Sequence, residues 1–227
     1  MNNLFDLIGD YYDLIYSEKN YTEEAFFVSE ILEKHKIEGK SILELGSGTG
    51  IHATELAKKG YFVQGIERSK QMLSKSKVHQ RYKPLLGDIR DFSLDIKFDA
   101  AISLFHVISY QIKNEDLDLV FENVKNHLNK GGLFLFDFWY SPAVHTLKPE
   151  VRVKRFYDKD YIISRISEPQ SITKENRVDV KFTCYVESKK DGFIKKFVEI
   201  HPMRHFSLPE IELFALKHEF KILKSGE

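Results

Sequence analysis

The chain has 227 residues, which is room for one α/β domain with an insertion and too few for two full-sized domains. Lysine plus arginine total 34 and aspartate plus glutamate total 34, so no global field draws the chain to nucleic acid or to an anionic membrane. The single cysteine, Cys184, excludes an intrachain disulfide framework and a thiolate zinc cluster, and no metal is expected.

The start, MNNLFDLIGDYYDL, has no basic segment followed by a long apolar one, and nowhere do about 18 apolar residues run together. A cytoplasmic protein without a membrane partner is the expectation. A first helix is expected from Thr22 to His35, with Thr22 as cap and Phe26, Phe27, Ile31 and Leu32 near one face. Short apolar runs then alternate with amphipathic segments: strand 41–45, helix 50–59, strand 61–66, helix 69–78, strands near 83–87 and 98–104, helix 114–128 and strand 132–138. That order favours a parallel sheet with helices on both faces. KNHLNKGG reads as a helix end and glycine turn.

After Pro149 the period changes. VRVKRFY, DYIISRIS, RVDVKFTCYVE and FIKKFVEI favour strands, with EPQSITKE and SKKDG as turns. Residues 151–201 are therefore expected to form an antiparallel insertion, a lid beside a core of residues 1–150. Residues 202–227 then return to the core, with a helix over 208–218 and FKILKS rejoining the main sheet.

The strongest local constellation is ILELGSGTG at 42–50, followed by GYFVQGIERS at 60–69. Gly46, Gly48 and Gly50 allow a sharp turn after the first strand and close approach of a ligand, and the following helix directs free N–H groups at it. Glu67, 21 residues after Gly46, stands where a carboxylate accepts the hydroxyls of an adenosine ribose. The competing cofactor is NAD, but Gly50 falls one position early for G-x-G-x-x-G, and Glu44 suits a cationic amino-acid group better than a pyrophosphate.

ILELGSGTG, Glu67 in GIERSKQML, LLGDIRDF at 85–92 and SLFHVISY at 103–110 resemble the class I S-adenosylmethionine (SAM)-dependent methyltransferases, whose fold is a Rossmann-like α/β core. The resemblance implies that Gly46, Gly48 and Gly50 shape the methionine side of a SAM site; Glu44, Arg68 and Leu104 are further candidates for contact with the cofactor. It implies further that Glu67 binds ribose, Asp88 faces the adenine amine, Ile89 offers a backbone contact or apolar wall, and Met72 flanks the adenine.

Acceptor candidates cluster after expected strand ends: Phe105, His106, Ser109, Tyr110, Asp137, Trp139 and Tyr140. His106 has a near-neutral reference pKa and is a candidate proton acceptor, while Tyr110 suits orienting an amine or a proton-carrying water. YYDL, LLGDIRDF, LFHVISY, DFWYSP and HPMRHFSLPE resemble, in that order, the nucleotide-linked deoxyaminosugar N-methyltransferases, N,N-dimethyltransferases included. This narrower resemblance implies that Tyr12 and Tyr21 close over the methionine end and that Tyr110 lies near the reacting amine. It also makes Trp139 an aromatic wall, puts His201 where the insertion returns to the core, and lets Arg204 meet a phosphate. His106 stands where a smaller polar residue is usual, and the chain stops before the family's final glycine-rich segment and strand. Other small acceptors, and a non-catalytic SAM-binding module, remain open on these residues. So does a homodimer.

Overall fold

The computed structural model describes residues 4–37 and 39–226. A 3₁₀ turn, Gly9–Tyr11, leads into the short helix α1, Tyr12–Ile15, and then α2, Tyr21–Lys34. Asn20, not Thr22, caps α2: its Oδ1 accepts the Glu23 N–H at 3.1 Å, while the Thr22 hydroxyl turns to Glu55. The alternating region follows as β1 (Ser41–Leu45), α3 (Ile51–Lys58), β2 (Phe62–Glu67), α4 (Lys70–Ser74), β3 (Tyr82–Leu86), β4 (Phe98–Ser103), α5 (Asn114–His127) and β5 (Leu128–Phe136).

These strands form a parallel sheet in the order β3-β2-β1-β4-β5. Both faces are covered, as the apolar runs required. Ile42, Val63, Ala100 and Ile102 pack with Ala25, Val28 and Leu32 of α2 and Ala53 and Leu56 of α3. Leu43, Leu45, Ile66 and Ala101 pack on the opposite side with Leu117, Val120, Phe121 and Val124 of α5. The period of two in β1 thus feeds two cores at once.

Within this alternating region α4 and β5 differ from expectation. Helix α4 stops at Ser74 rather than 78 because the chain turns back to the glycine loop, where Lys77 N–H donates to Thr49 O at 2.9 Å. Strand β5 begins at Leu128, inside the expected glycine turn: Leu128 pairs with Phe98, and the register then slips so that Leu133 pairs with Ala100, with Gly131 at φ +83°.

A second sheet comprises β6 (Trp139–Tyr140), then, after helix α6 (Ser141–Thr146), β7 (Arg152–Tyr157), β8 (Tyr161–Ile172), β9 (Arg177–Ser188) and β10 (Ile194–Phe206). Its order is β6-β10-β9-β8-β7, antiparallel except for the β6–β10 pair. It starts before Pro149 and continues past His201. Its inner face is closed by the N-terminal segment: Ile8 and Ile15 pack with Phe156, Ile163, Cys184, Val186 and Phe197. Ser207 then caps α7 (Leu208–Lys217) through a full capping box with Glu210.

FKILKS does not rejoin the main sheet. Phe220 docks on Phe121 and Phe134, and 221–226 carry neither helix nor strand. Its remaining apolar residues, Ile222 and Leu223, are adjacent, so no single strand face gathers both, and both stay partly exposed.

Candidate active site

Parallel strands place their C-terminal ends on one edge, and every turn that leaves that edge carries candidate residues. After β1 comes the glycine loop, where Gly46, Gly48 and Gly50 have φ of +70°, +56° and +71°. Two of the three are fixed twice over. A Cβ on Gly46 would fall 2.6 Å from Val107 Cγ2, and one on Gly50 would fall 2.4 Å from Tyr82 Cε1. Gly48 faces the Met72 methyl, and its N–H donates to Glu67 Oε2 at 2.9 Å.

Glu67 ends β2 and is buried. Its Oε1 accepts the Ser69 N–H at 2.7 Å, so the carboxylate ties the glycine loop to the start of α4. Burial pushes its pKa up against those two amides. Glu44, on the α3 side of β1, is buried with Oε2 unpartnered. Burial, with the Glu67 charge added, pushes its pKa up to about 8. Two carboxyl groups with spare acceptor sites thus stand behind the glycine loop.

The N-terminal segment covers this loop. Asp13 accepts from Thr49 Oγ1 and Lys77 Nζ, each at 2.6 Å, and the Tyr12 and Tyr16 rings pack tilted with centroids 4.6 Å apart. The Tyr12 phenol is pushed well up, by burial first and then by the neighbouring tyrosines and Glu67. Tyr21 packs on His52, and its buried hydroxyl has no partner. Arg68 is exposed, yet it acts on Glu67, Asp88 and Tyr110 through its charge. Leu104 is half-buried against the α2–α3 core.

Asp88 is less free than its place in the sequence suggested. Arg90 grips it with Nε at 2.9 Å and Nη2 at 2.7 Å, and this pairing holds the Asp88 carboxyl below its usual range although burial opposes it. Ile89 turns its side chain into the core, and its carbonyl accepts from Asn123.

After β4, Phe105 and His106 both adopt left-handed backbone, φ +66° and +62°, an uncommon and costly pair for residues with a Cβ. The turn is held by the His106 N–H donating to Asp137 Oδ1 at 2.8 Å. His106 Nδ1 lies 3.4 Å from Asp137 Oδ2, outside hydrogen-bond alignment, and burial pushes the imidazole pKa down against that charge. Phe105 meets Tyr16 edge-on, and Trp139 stands edge-on to His106 at 6.3 Å.

Several acceptor-side residues are placed differently from expectation. Ser109 is fully buried, and its Oγ accepts the Trp139 N–H at 2.9 Å, so it positions the tryptophan. Tyr140 caps α6 and pairs with Phe206. His201 is buried and engaged at both nitrogens, at 2.9 Å to Tyr110 Oη and 3.0 Å to Glu199 Oε2. Strand alternation puts Arg204 on the other face of β10, where it bonds Asn114 at 2.7 Å and Glu210 at 3.1 Å and lies over Phe206. Two of its guanidinium nitrogens are engaged in this way, while its buried Nε has no partner among the described residues.

Two inner-face residues escaped the sequence reading, Glu199 and Arg165. Arg165 is nine-tenths buried as a residue, with its guanidinium among the rings of Tyr16, Phe156 and Phe182. Its one hydrogen bond goes to Tyr16 Oη at 3.2 Å, Nε has no acceptor, and no carboxylate among the described residues pairs with it. A charged residue amid apolar alternation in YIISRIS was the available signal.

Residues 42–132 match a family described as a methyltransferase domain. The chain is 30% identical over 211 residues to the dTDP-3-amino-3,6-dideoxy-alpha-D-glucopyranose N,N-dimethyltransferase of Streptomyces fradiae, covering 90% of this chain and 80% of that one. It is 27% identical to the dTDP-3-amino-3,4,6-trideoxy-alpha-D-glucopyranose N,N-dimethyltransferase of Streptomyces venezuelae, covering 90% and 86%. The crystal structure of DesVI from S. venezuelae superimposes with a TM-score of 0.82 at 26% identity, covering 92% of this chain and 88% of that one.

Fold and site define a methyltransferase. The chain belongs to the class I SAM-dependent methyltransferases, resembles the sugar N-methyltransferases among them, and has SAM as its cofactor. The residues present fit that group: the orphaned Glu44 and Tyr21 oxygens and the second acceptor sites of Glu67 all lie around the glycine loop.

Proposed function

We propose that the protein transfers a methyl group from SAM to the amine of a nucleotide-linked aminosugar. The relatives' activities support this reading, and Arg165 is the observation that carries it. A buried guanidinium without a carboxylate calls for an anion, and a sugar diphosphate is a small acceptor that brings one. Phe182 touches Arg165 on one side and His201 on the other, and His201 bonds Tyr110, so two rings link the cation to Tyr110.

SAM, when bound, supplies a methyl group activated by its positive sulfur. Glu44 takes the ammonium of the methionine part, and Glu67 uses its remaining lone pairs for the ribose hydroxyls. Tyr12 and Tyr21 close the methionine end and exclude water. Asp88, Ile89 and Met72 border the adenine. Tyr110, Phe105 and Trp139 hold the acceptor so that a neutral nitrogen lone pair points along the line of transfer. The proposal includes action in the cytoplasm. It also includes a homodimer, supported by Val153, Tyr157, Val198 and Ile200 exposed on the outer face of the second sheet, and sedimentation tests it.

Incubating the protein with SAM and amino-bearing nucleotide sugars, and weighing the products, tests the acceptor. A gain of one or two methyl groups is expected. Arg165→Met should raise KM for the nucleotide sugar roughly 10- to 100-fold while leaving SAM affinity unchanged, the range for a lost charge-assisted hydrogen bond. Confirmed SAM binding with no product from any of these sugars removes the assignment.

A further inference from the structure

The inner face of the second sheet carries a chain of hydrogen bonds that binding alone does not need. Glu199 and His201 sit two apart on β10 and so share a face. Glu199 Oε2 lies 3.0 Å from His201 Nε2, and His201 Nδ1 lies 2.9 Å from Tyr110 Oη. A carboxylate only accepts, so the imidazole proton is fixed on Nε2 and Nδ1 is left to accept the Tyr110 hydroxyl. Burial pushes the Glu199 carboxyl up, but the bonds from His201 and the amides of Leu7 and Ile8 outweigh it and keep the group ionised. Phe5 and Phe182 each meet the His201 ring at 4.9 Å and screen it from water.

The acceptor poses a proton problem that this chain answers. An aminosugar nitrogen is largely protonated near neutral pH, and an ammonium has no lone pair with which to attack. Tyr110 cannot serve as a base alone, because burial, with Tyr16 adding to it, drives its phenol far above the usual range.

We infer that Tyr110, His201 and Glu199 form a proton relay that deprotonates the acceptor amine, completed by the N-terminal segment holding Glu199. The inference rests on the aminosugar reading above. The ammonium N–H proton passes to Tyr110 Oη as the tyrosine's own proton passes to His201 Nδ1. The products of this step are a neutral amine, a neutral tyrosine and an imidazolium facing the Glu199 carboxylate. The amine lone pair then forms the new C–N bond as the C–S bond breaks, its electron pair staying on sulfur. The imidazolium proton returns by the same path to water after the methylated amine has left.

Tyr110 is the catalytic residue of this relay; His201 and Glu199 act through it. The other oxygen of Glu199 accepts the Leu7 N–H at 2.8 Å and the Ile8 N–H at 3.2 Å. The relay is therefore whole only when the N-terminal segment is closed, which couples the base to the cover over the SAM site. The other titratable or charged groups around it are Tyr12 and Tyr16 of that segment, Arg68 after β2, and Arg165 and Cys184 on the sheet.

The pH dependence of methyl transfer separates a relay from mere scaffolding. His201→Gln and Tyr110→Phe should lower kcat about 100-fold near pH 6.5, and the deficit should shrink to within about 10-fold near pH 9, where the amine is already neutral. Glu199→Gln should follow the same trend less steeply. A deficit of equal size at every pH, or none, overturns the relay. Nitrogen spectra of the protein carrying isotope-labelled histidine give a readout without any acceptor, with the His201 signal assigned by its loss in His201→Gln. A proton on Nε2 and none on Nδ1 supports the relay; the opposite tautomer overturns it. Wild-type inertness toward every aminosugar removes the substrate reading, and the spectra still decide the relay's geometry.

Discussion

At the residue scale, Glu44 shows how a binding site is held ready at a cost to stability. Its carboxyl is buried beside Glu67 with one oxygen unpartnered, and its pKa of about 8 means it is largely protonated at neutral pH in the unliganded protein. Capturing an ammonium requires the ionised form, so SAM should bind more tightly as pH rises towards about 8, with a proton released on binding at lower pH. The stability effect has the opposite sign. Between the ordinary carboxyl range and about 8 the unfolded chain has lost a proton that the folded one keeps, so this group lowers stability by at most about 1.4 kcal/mol for each pH unit. Glu44→Gln should therefore weaken SAM binding at least about 10-fold at pH 8 while raising the melting temperature there and leaving it nearly unchanged near pH 4.5. Titration calorimetry and thermal melts at the two pH values check both halves. Unchanged affinity would remove Glu44 from the site.

At the element scale, the glycine loop is a joint between three elements as well as a ligand cradle. Gly46 abuts Val107 after β4, Gly50 abuts the Tyr82 ring at the start of β3, and both have positive φ. Gly46→Ala and Gly50→Ala should each cost more than the ~1 kcal/mol of backbone strain, because the backbone must also move away from Val107 or Tyr82. Gly60→Ala, at φ +96° with open space around it, should cost the strain alone. Denaturant melts of the three variants should rank Gly60→Ala mildest, and equal losses would contradict the joint.

The same loop shows what the sequence could disclose. Its glycines, and Glu67 one strand later, are local signals tied to one parallel-sheet edge, and strands buried on both faces read as plain apolar runs. Glu199 and Arg165 were hidden for the opposite reason. Their meaning lies in which face of a strand they share with His201 and Cys184, and that is set by antiparallel register between segments far apart in the chain. Arg204 depends on register in the same way. A cation in a histidine-rich segment near a lid suggests phosphate, and one step of strand alternation sets it beside Asn114 and Glu210, on the opposite face from His201.

At the scale of the whole molecule, the N-terminal segment is the piece that makes two sheets one unit. Its Asp13 ties to Thr49 in the glycine loop, its Leu7 and Ile8 amides tie to Glu199 on β10, and Ile8 and Ile15 are buried against the second sheet. Tyr110, from the main core, reaches His201 across the same seam. An insertion with its own independent core would melt separately, whereas an insertion whose inner face is closed by another part of the chain must melt with it. Trp139, the single tryptophan, pairs with β10 and also meets Ser109 and His106, so its fluorescence reports the edge where the second sheet joins the core, while the far-ultraviolet helix signal comes mainly from the main core. The two signals should give coincident denaturant transitions. Ile15→Ala, which empties a buried site in the seam, should shift both together by about 2–4 kcal/mol. A fluorescence transition that moves alone would show the second sheet to be a separate folding unit, and the coupling between cover, relay and SAM site would then need a carrier other than the N-terminal segment.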